Sequence, residues 1–125
     1  MTDSVDRLYN AVLEAKHSDP GQSRTARLFR AGRSKIAKKL AEEAIEVVID
    51  AMNGDREAVV RESADLLYNL VVVWAACGVR PGEVWKEMER RERLFGIAEK
   101  LKGNMLAKGR AKMAPLSARR RQQRR

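Results

Sequence analysis

A chain of 125 residues with a formal net charge of +9 has the length of one domain with a modest core. Its one cysteine, Cys77, excludes an intrachain disulfide framework and fits a reducing, cytoplasmic setting. The opening MTDSVDRLYN lacks a secretion-signal layout, and the apolar run LLYNLVVVWAAC spans 12 positions where a membrane span takes about 20, so no membrane role is expected.

The charge is uneven. Residues 1–98 carry 16 basic and 16 acidic side chains, and residues 99–125 carry ten basic ones against Glu99 alone. This predicts a neutral folded domain over 1–98 and a basic, disordered tail over 99–125.

Apolar residues at Val5, Leu8, Val12 and Leu13 predict a helix over 4–16 with Ser4 as its N-cap. HSDPGQS (17–23) is loop chemistry, and RTARLFRAGRSK predicts a short helix ending near Gly32. A long helix from about Ser34 to Met52 follows, with Asn53 or Gly54 supplying the left-handed stop. Asp55 caps a second long helix that runs to Ala76 before Gly78, and Pro81 opens a charged, more exposed helix over 80–96. No segment alternates with period two. The expected fold is all-α, an antiparallel bundle of four to five helices completed by dimerisation, because the second long helix is apolar nearly all round.

KKLAEEAIEVVIDA (38–51) carries the strongest chemical signal. At about 100° per residue, Glu42, Glu43, Glu46 and Asp50 share roughly one 100° arc, with Lys35 and Lys39 on the same stripe. On the next helix Glu62, Asp65 and Asn69 form a second polar stripe among leucines and valines. Facing one another, the two stripes gather about five carboxylates, which only cations can hold together. An all-oxygen donor set favours Mg²⁺ or Mn²⁺, and carboxylate-held Mg²⁺ points to a phosphate substrate. Taken singly, a Glu-Glu pair or an ExxD is usually just solvated; EExxE followed after 15 residues by ExxD is far more specific. Between residues 24 and 39 stand seven basic residues and no acid. The bland reading is a solvated basic face; the functional one is a phosphate-binding rim, to which Ser23, Arg24 and Thr25 could contribute.

SRTARLF (23–29), GRSKIAKKLAEEAIEVVIDAMNGDRE (32–57) and ESADLLYNLVVVWAACGVRPGEVWKEMERR (62–91) resemble the phosphoribosyl-ATP pyrophosphatase family of histidine biosynthesis, one of the all-α NTP pyrophosphohydrolases that include MazG and the dimeric dUTPases. The resemblance implies hydrolysis of phosphoribosyl-ATP to phosphoribosyl-AMP and pyrophosphate, Mg²⁺ dependence and a homodimer. By motif position it implies Glu43, Glu46, Glu62 and Asp65 as metal ligands. Glu42 becomes a further ligand or the group that orients the attacking water, and Lys35 and Lys39 become phosphate-binding residues; Arg24 joins them on the reading of the basic stretch after the loop, not on the resemblance. Catalysis would rest on Glu42, Glu43 and Glu46, with in-line attack by an activated water and no covalent intermediate. Asn69 departs from the family's frequent His, and Leu40-Ala41 from Val-Gly.

Two other functions compete. A MazG-type house-cleaning (d)NTP pyrophosphatase would use the same carboxylates. A non-enzymatic nucleic-acid-binding protein would use the tail, but the tail has no aromatic residue for base stacking and this reading leaves the acidic cluster unexplained.

Overall fold

The computed structural model describes residues 2–103, with side-chain surroundings for residues 4–96. Among them are five helices and no strand: α1 Thr2–Lys16, α2 Arg24–Ala31, α3 Arg33–Met52, α4 Arg56–Cys77 and α5 Pro81–Gly103. The all-α expectation is therefore met. The described chain divides into two compact units, with the boundary between Val84 and Trp85 inside α5. The expected disordered tail, 99–125, is helical over its first five residues, 99–103, which continue α5, and residues 104–125 lie outside the described residues.

The helix ends follow local chemistry. Ser23 caps α2 by accepting from the Ala26 N–H at 3.1 Å, and Asp55 caps α4 through the Ala58 N–H at the same distance. Gly32 alone separates α2 from α3. Its φ of 101° lets its N–H reach the carbonyls of Leu28 and Phe29 while its own carbonyl receives the Ile36 N–H. Between α3 and α4, Gly54 takes the positive φ and Asn53 stays right-handed. Two expectations fail: α5 runs on to Gly103 and does not end at 96, and α1 begins at Thr2, so Ser4 lies inside the first turn, where its hydroxyl accepts from Arg7.

In the first unit, Tyr9 and Val12 of α1, Leu28 of α2, Ile36 of α3 and Val71, Val72 and Ala75 of α4 form the buried core. The Lys16 ammonium lies 5.3 Å from the centre of the Phe29 ring and ties the end of α1 to α2. The most extensive pairing is α3 with α4, which the three-residue connection 53–55 folds onto one another. Of α3 only Ile36 and Glu43 are buried, a first sign that this helix is positioned for more than packing. Cys77 is exposed at the last residue of α4, although the run before it is apolar.

The second unit's described part is the remainder of α5. Glu87 there accepts from Arg90 at 2.7 and 2.9 Å and from Arg91 at 2.9 Å. No single described helix is long and apolar enough to cross a membrane.

Candidate functional site

The α3–α4 pairing brings acids of both helices together. Glu43, Glu62 and Asp65 each offer a carboxylate oxygen within 4.8 Å of the other two. Glu46, one turn on from Glu43, lies close enough to Glu62 to push its carboxyl up. Four of the expected ligands thus gather at one place. The spacing explains it: Glu43 and Glu46 share a face of α3, Glu62 and Asp65 a face of α4, and the short connection sets these faces opposite.

The electrostatics of this cluster are unfavourable as they stand. Glu62 is pushed up from an ordinary 4.5 to about 7, first by the Glu46 carboxyl beside it, then by burial, by the Glu43 carboxyl and by the charge of both neighbours. Near neutrality the Glu62 carboxyl is therefore about half protonated. Glu43 Oε2 and Glu62 Oε2 are sealed from solvent and meet no hydrogen-bond partner among the described residues. The nearest positive charge is the Lys39 ammonium, 3.8 Å from Glu43 Oε1. Buried carboxylate oxygens without partners are costly unless something else occupies them. Grouped oxygen donors with vacant lone pairs suit a hard divalent ion, so the residues present fit the group that the sequence implies.

The expected phosphate binders lie alongside. A groove of about 350 Å³ is bordered by Arg24, Arg27, Lys35, Lys39 and Glu42. A smaller recess of about 260 Å³ is bordered by Arg24, Asp65 and Tyr68. Arg24 and Lys39 therefore stand between the cationic groove and the carboxylates. Arg24 is held there by the Tyr68 ring, 5.0 Å from its guanidinium.

Glu42 lies apart from the other four acids. It is exposed and faces the groove, because adjacent helical residues diverge by about 100° and Glu43 takes the inward direction. Ser23 and Thr25, considered for phosphate or ribose, have structural duties instead. Ser23 is the α2 cap, and the buried Thr25 hydroxyl hydrogen-bonds the Tyr68 hydroxyl at 2.6 Å. Asn69 does not extend the acidic stripe into the site. It is 1 % exposed, and its Nδ2 donates to the Asp65 carbonyl at 2.8 Å. Sequence reasoning missed Tyr68; only its place three residues after Asp65 could have put it on the site's face.

An all-helical frame that sets clustered carboxylates beside a cationic groove has the makings of a nucleotide pyrophosphohydrolase. Comparison with known proteins narrows the class. The family model described as phosphoribosyl-ATP pyrophosphohydrolase matches residues 5–92. The chain is 69 % identical over 108 residues to a Rhodopseudomonas palustris protein named phosphoribosyl-ATP pyrophosphatase 2, covering 86 % of this chain and 82 % of the relative. It is 72 % identical over 101 residues to a protein of the same name from Bradyrhizobium diazoefficiens, covering 81 % and 75 %. It is 52 % identical over 96 residues to phosphoribosyl-ATP pyrophosphatase of Azospirillum brasilense, covering 77 % and 86 %. The chain belongs to the phosphoribosyl-ATP pyrophosphohydrolase family.

Proposed function

We propose that the protein hydrolyses the phosphoanhydride of phosphoribosyl-ATP, releasing pyrophosphate and phosphoribosyl-AMP in the second step of histidine biosynthesis. The observation that carries this reading is the carboxylate cluster with unpartnered buried oxygens beside a cationic groove, in a chain of this family.

Glu43, Glu46, Glu62 and Asp65 would hold Mg²⁺, with Mn²⁺ the alternative, since every donor is a carboxylate oxygen. A bound divalent ion supplies charge neutralisation for phosphate oxygens and polarises the anhydride. The chain's own groups do the rest. Arg24 and Lys39, at the border of the cluster, hold the phosphates on the carboxylate side, and Lys35 extends this positive field along α3. Glu46 is the exposed member of the carboxyl pair and takes up the proton lost by the water that attacks phosphorus.

The working form is a homodimer in the cytoplasm. Ile45, Val48, Ile49 and Met52 are all more than half exposed along one stripe of α3, and Val60 and Leu67 are exposed on α4. A second copy covers such a stripe at little cost, and a lone chain leaves it in water. Sedimentation at micromolar concentration should give two chains for the wild type and one for Ile49→Glu; a monomeric wild type sinks the dimer.

The test of function is a hydrolysis panel of phosphoribosyl-ATP, ATP and dNTPs, with and without Mg²⁺. Phosphoribosyl-ATP should turn over best, and only with metal. Faster turnover of dNTPs would replace this reading with a house-cleaning NTP pyrophosphatase.

A further inference from the structure

The groove and the carboxylate cluster share a border but not a lining. Of the four clustered acids none borders the groove, and of the groove's cations only Arg24 also borders the recess beside Asp65. An anion lodged in the groove therefore sits one step away from the carboxylates. The groove is large for a bare phosphate and of a size to hold a sugar monophosphate. Its polar border is four cations and one acid, and Leu28 and Ala31 line the rest.

That mixture discriminates between ligands. A pyrophosphate would be repelled by the Glu42 carboxylate, which accepts hydrogen bonds only. A phosphorylated sugar uses every part: Arg27 and Lys35, the cations not at the carboxylate border, take the phosphate, Glu42 accepts from sugar hydroxyls, and Leu28 and Ala31 meet the carbon face of the ring. The cations are also available. Lys35 is exposed and Lys39 is held only by the long contact to Glu43. Arg27 uses one guanidinium nitrogen to donate to the Pro20 carbonyl at 2.9 Å, which steadies it against the loop. Arg24 is steadied from below by Tyr68, itself fixed by the Thr25 hydroxyl.

We propose that this groove is a sugar-phosphate subsite that takes the phosphoribosyl end of phosphoribosyl-ATP, leaving the triphosphate to the carboxylate side. The assignment rests on the proposed substrate and deepens it. The substrate carries two anionic ends, and the end remote from the metal needs its own counter-charges. ATP lacks the phosphoribosyl end, so the groove is where the two nucleotides are told apart.

The experiment is a binding titration of the full chain, followed by NMR, with ribose 5-phosphate, inorganic phosphate and, with Mg²⁺, pyrophosphate. Lys35→Ala should weaken ribose 5-phosphate about tenfold, the scale of one charge-assisted contact, and pyrophosphate far less. Glu42→Gln should weaken ribose 5-phosphate but not inorganic phosphate, a split that a general loss of folding cannot produce. Glu62→Gln should do the reverse of Lys35→Ala. Equal losses of ribose 5-phosphate and pyrophosphate in Lys35→Ala would overturn the proposal, as would a wild type that does not bind ribose 5-phosphate at tens of millimolar. No turnover is involved, so failure of the hydrolysis panel and failure of this subsite are read separately.

Discussion

Glu62 and Glu87 are the same side chain on two helices in opposite company. Glu62 on α4 meets Glu46 and Glu43, and its carboxyl rises to about 7. Glu87 on α5 meets Arg90 and Arg91, whose hydrogen bonds and charges lower it to about 2. Around Glu87 two counter-charges, Arg90 and Arg91, stand one turn away on a surface facing water. Around Glu62 no described residue pairs a positive charge with its carboxylate, and one of its oxygens is sealed from solvent with no hydrogen-bond partner among the described residues. Helices are rich in acids for solubility, and the Glu87 ladder is that ordinary use. A cluster that is incomplete by itself and still held in place by two packed helices is what a binding site for a cation looks like.

The largest effect that sharpens this contrast is on turnover. Glu46→Ala should lower kcat for phosphoribosyl-ATP on the order of 10³-fold, because the cluster and its ion supply several kcal/mol to the transition state. Glu87→Gln, assayed beside it, should leave kcat where it was. Equal losses in the two variants would mean that the cluster has no special standing.

Metal removal comes next. A divalent ion that binds only the folded chain, at a hundred times its Kd, adds about 2.7 kcal/mol, which for a domain of this size raises Tm on the order of 10 °C. Melting curves in Mg²⁺ and in EDTA should differ by that amount in the wild type and by much less in Glu62→Gln. Superimposable wild-type curves would leave the cluster without its cation.

The ingredients of the site were legible from spacing, its arrangement less so. EExxE and ExxD sit on helical periods, and Asn53-Gly54-Asp55 is a turn by composition, so the meeting of Glu43, Glu46, Glu62 and Asp65 followed from periodicity plus one short connection. Gly32, Gly54 and Gly78 mark ends where a positive φ is needed, which is why most helix boundaries came out within a residue or two. Three features escaped. Glu42 shares the wheel arc with Glu43, but the neighbouring helix meets only one edge of that arc, and periodicity does not say which edge. Thr25 looks like a free hydroxyl until Tyr68, 43 positions away, takes it. The apolar arc of α3 reads as core, yet Ile45, Val48, Ile49 and Met52 stand exposed, since a hydrophobic pattern shows that a face wants cover and not which chain provides it.

A smaller effect, and one of definite sign, is the response to pH. Glu62 holds its proton to about 7 when folded and to 4.5 when unfolded. Between these values the folded state binds more protons, so the contribution of Glu62 to stability is complete below 4.5 and lost as pH rises through 7. Glu87 runs the other way: its contribution is present above 4.5 and lost as pH falls towards 2. Tm measured in EDTA from pH 4.5 to 8 should therefore fall in the wild type relative to Glu62→Gln, and Mg²⁺ should remove most of the difference by taking the place of the proton. A wild type and Glu62→Gln that run parallel across this window would show that Glu62 titrates like an ordinary glutamate.

The smallest effect belongs to the arginine ladder. Glu87 loses much of its proton affinity to Arg90 and Arg91, but the arginine side chains are 56 % and 63 % exposed. Water and salt compete for such pairs, and holding three long side chains in one geometry costs entropy, so a lowered pKa at the surface converts poorly into stability. Glu87→Gln should shift Tm by no more than about 2 °C at low salt, and the shift should vanish in molar salt, where the Debye length is about 3 Å. A salt-resistant loss of many degrees would mean that Glu87 is buried against something in the working protein, and the contrast with Glu62 would then be between two interfaces rather than between a site and a surface.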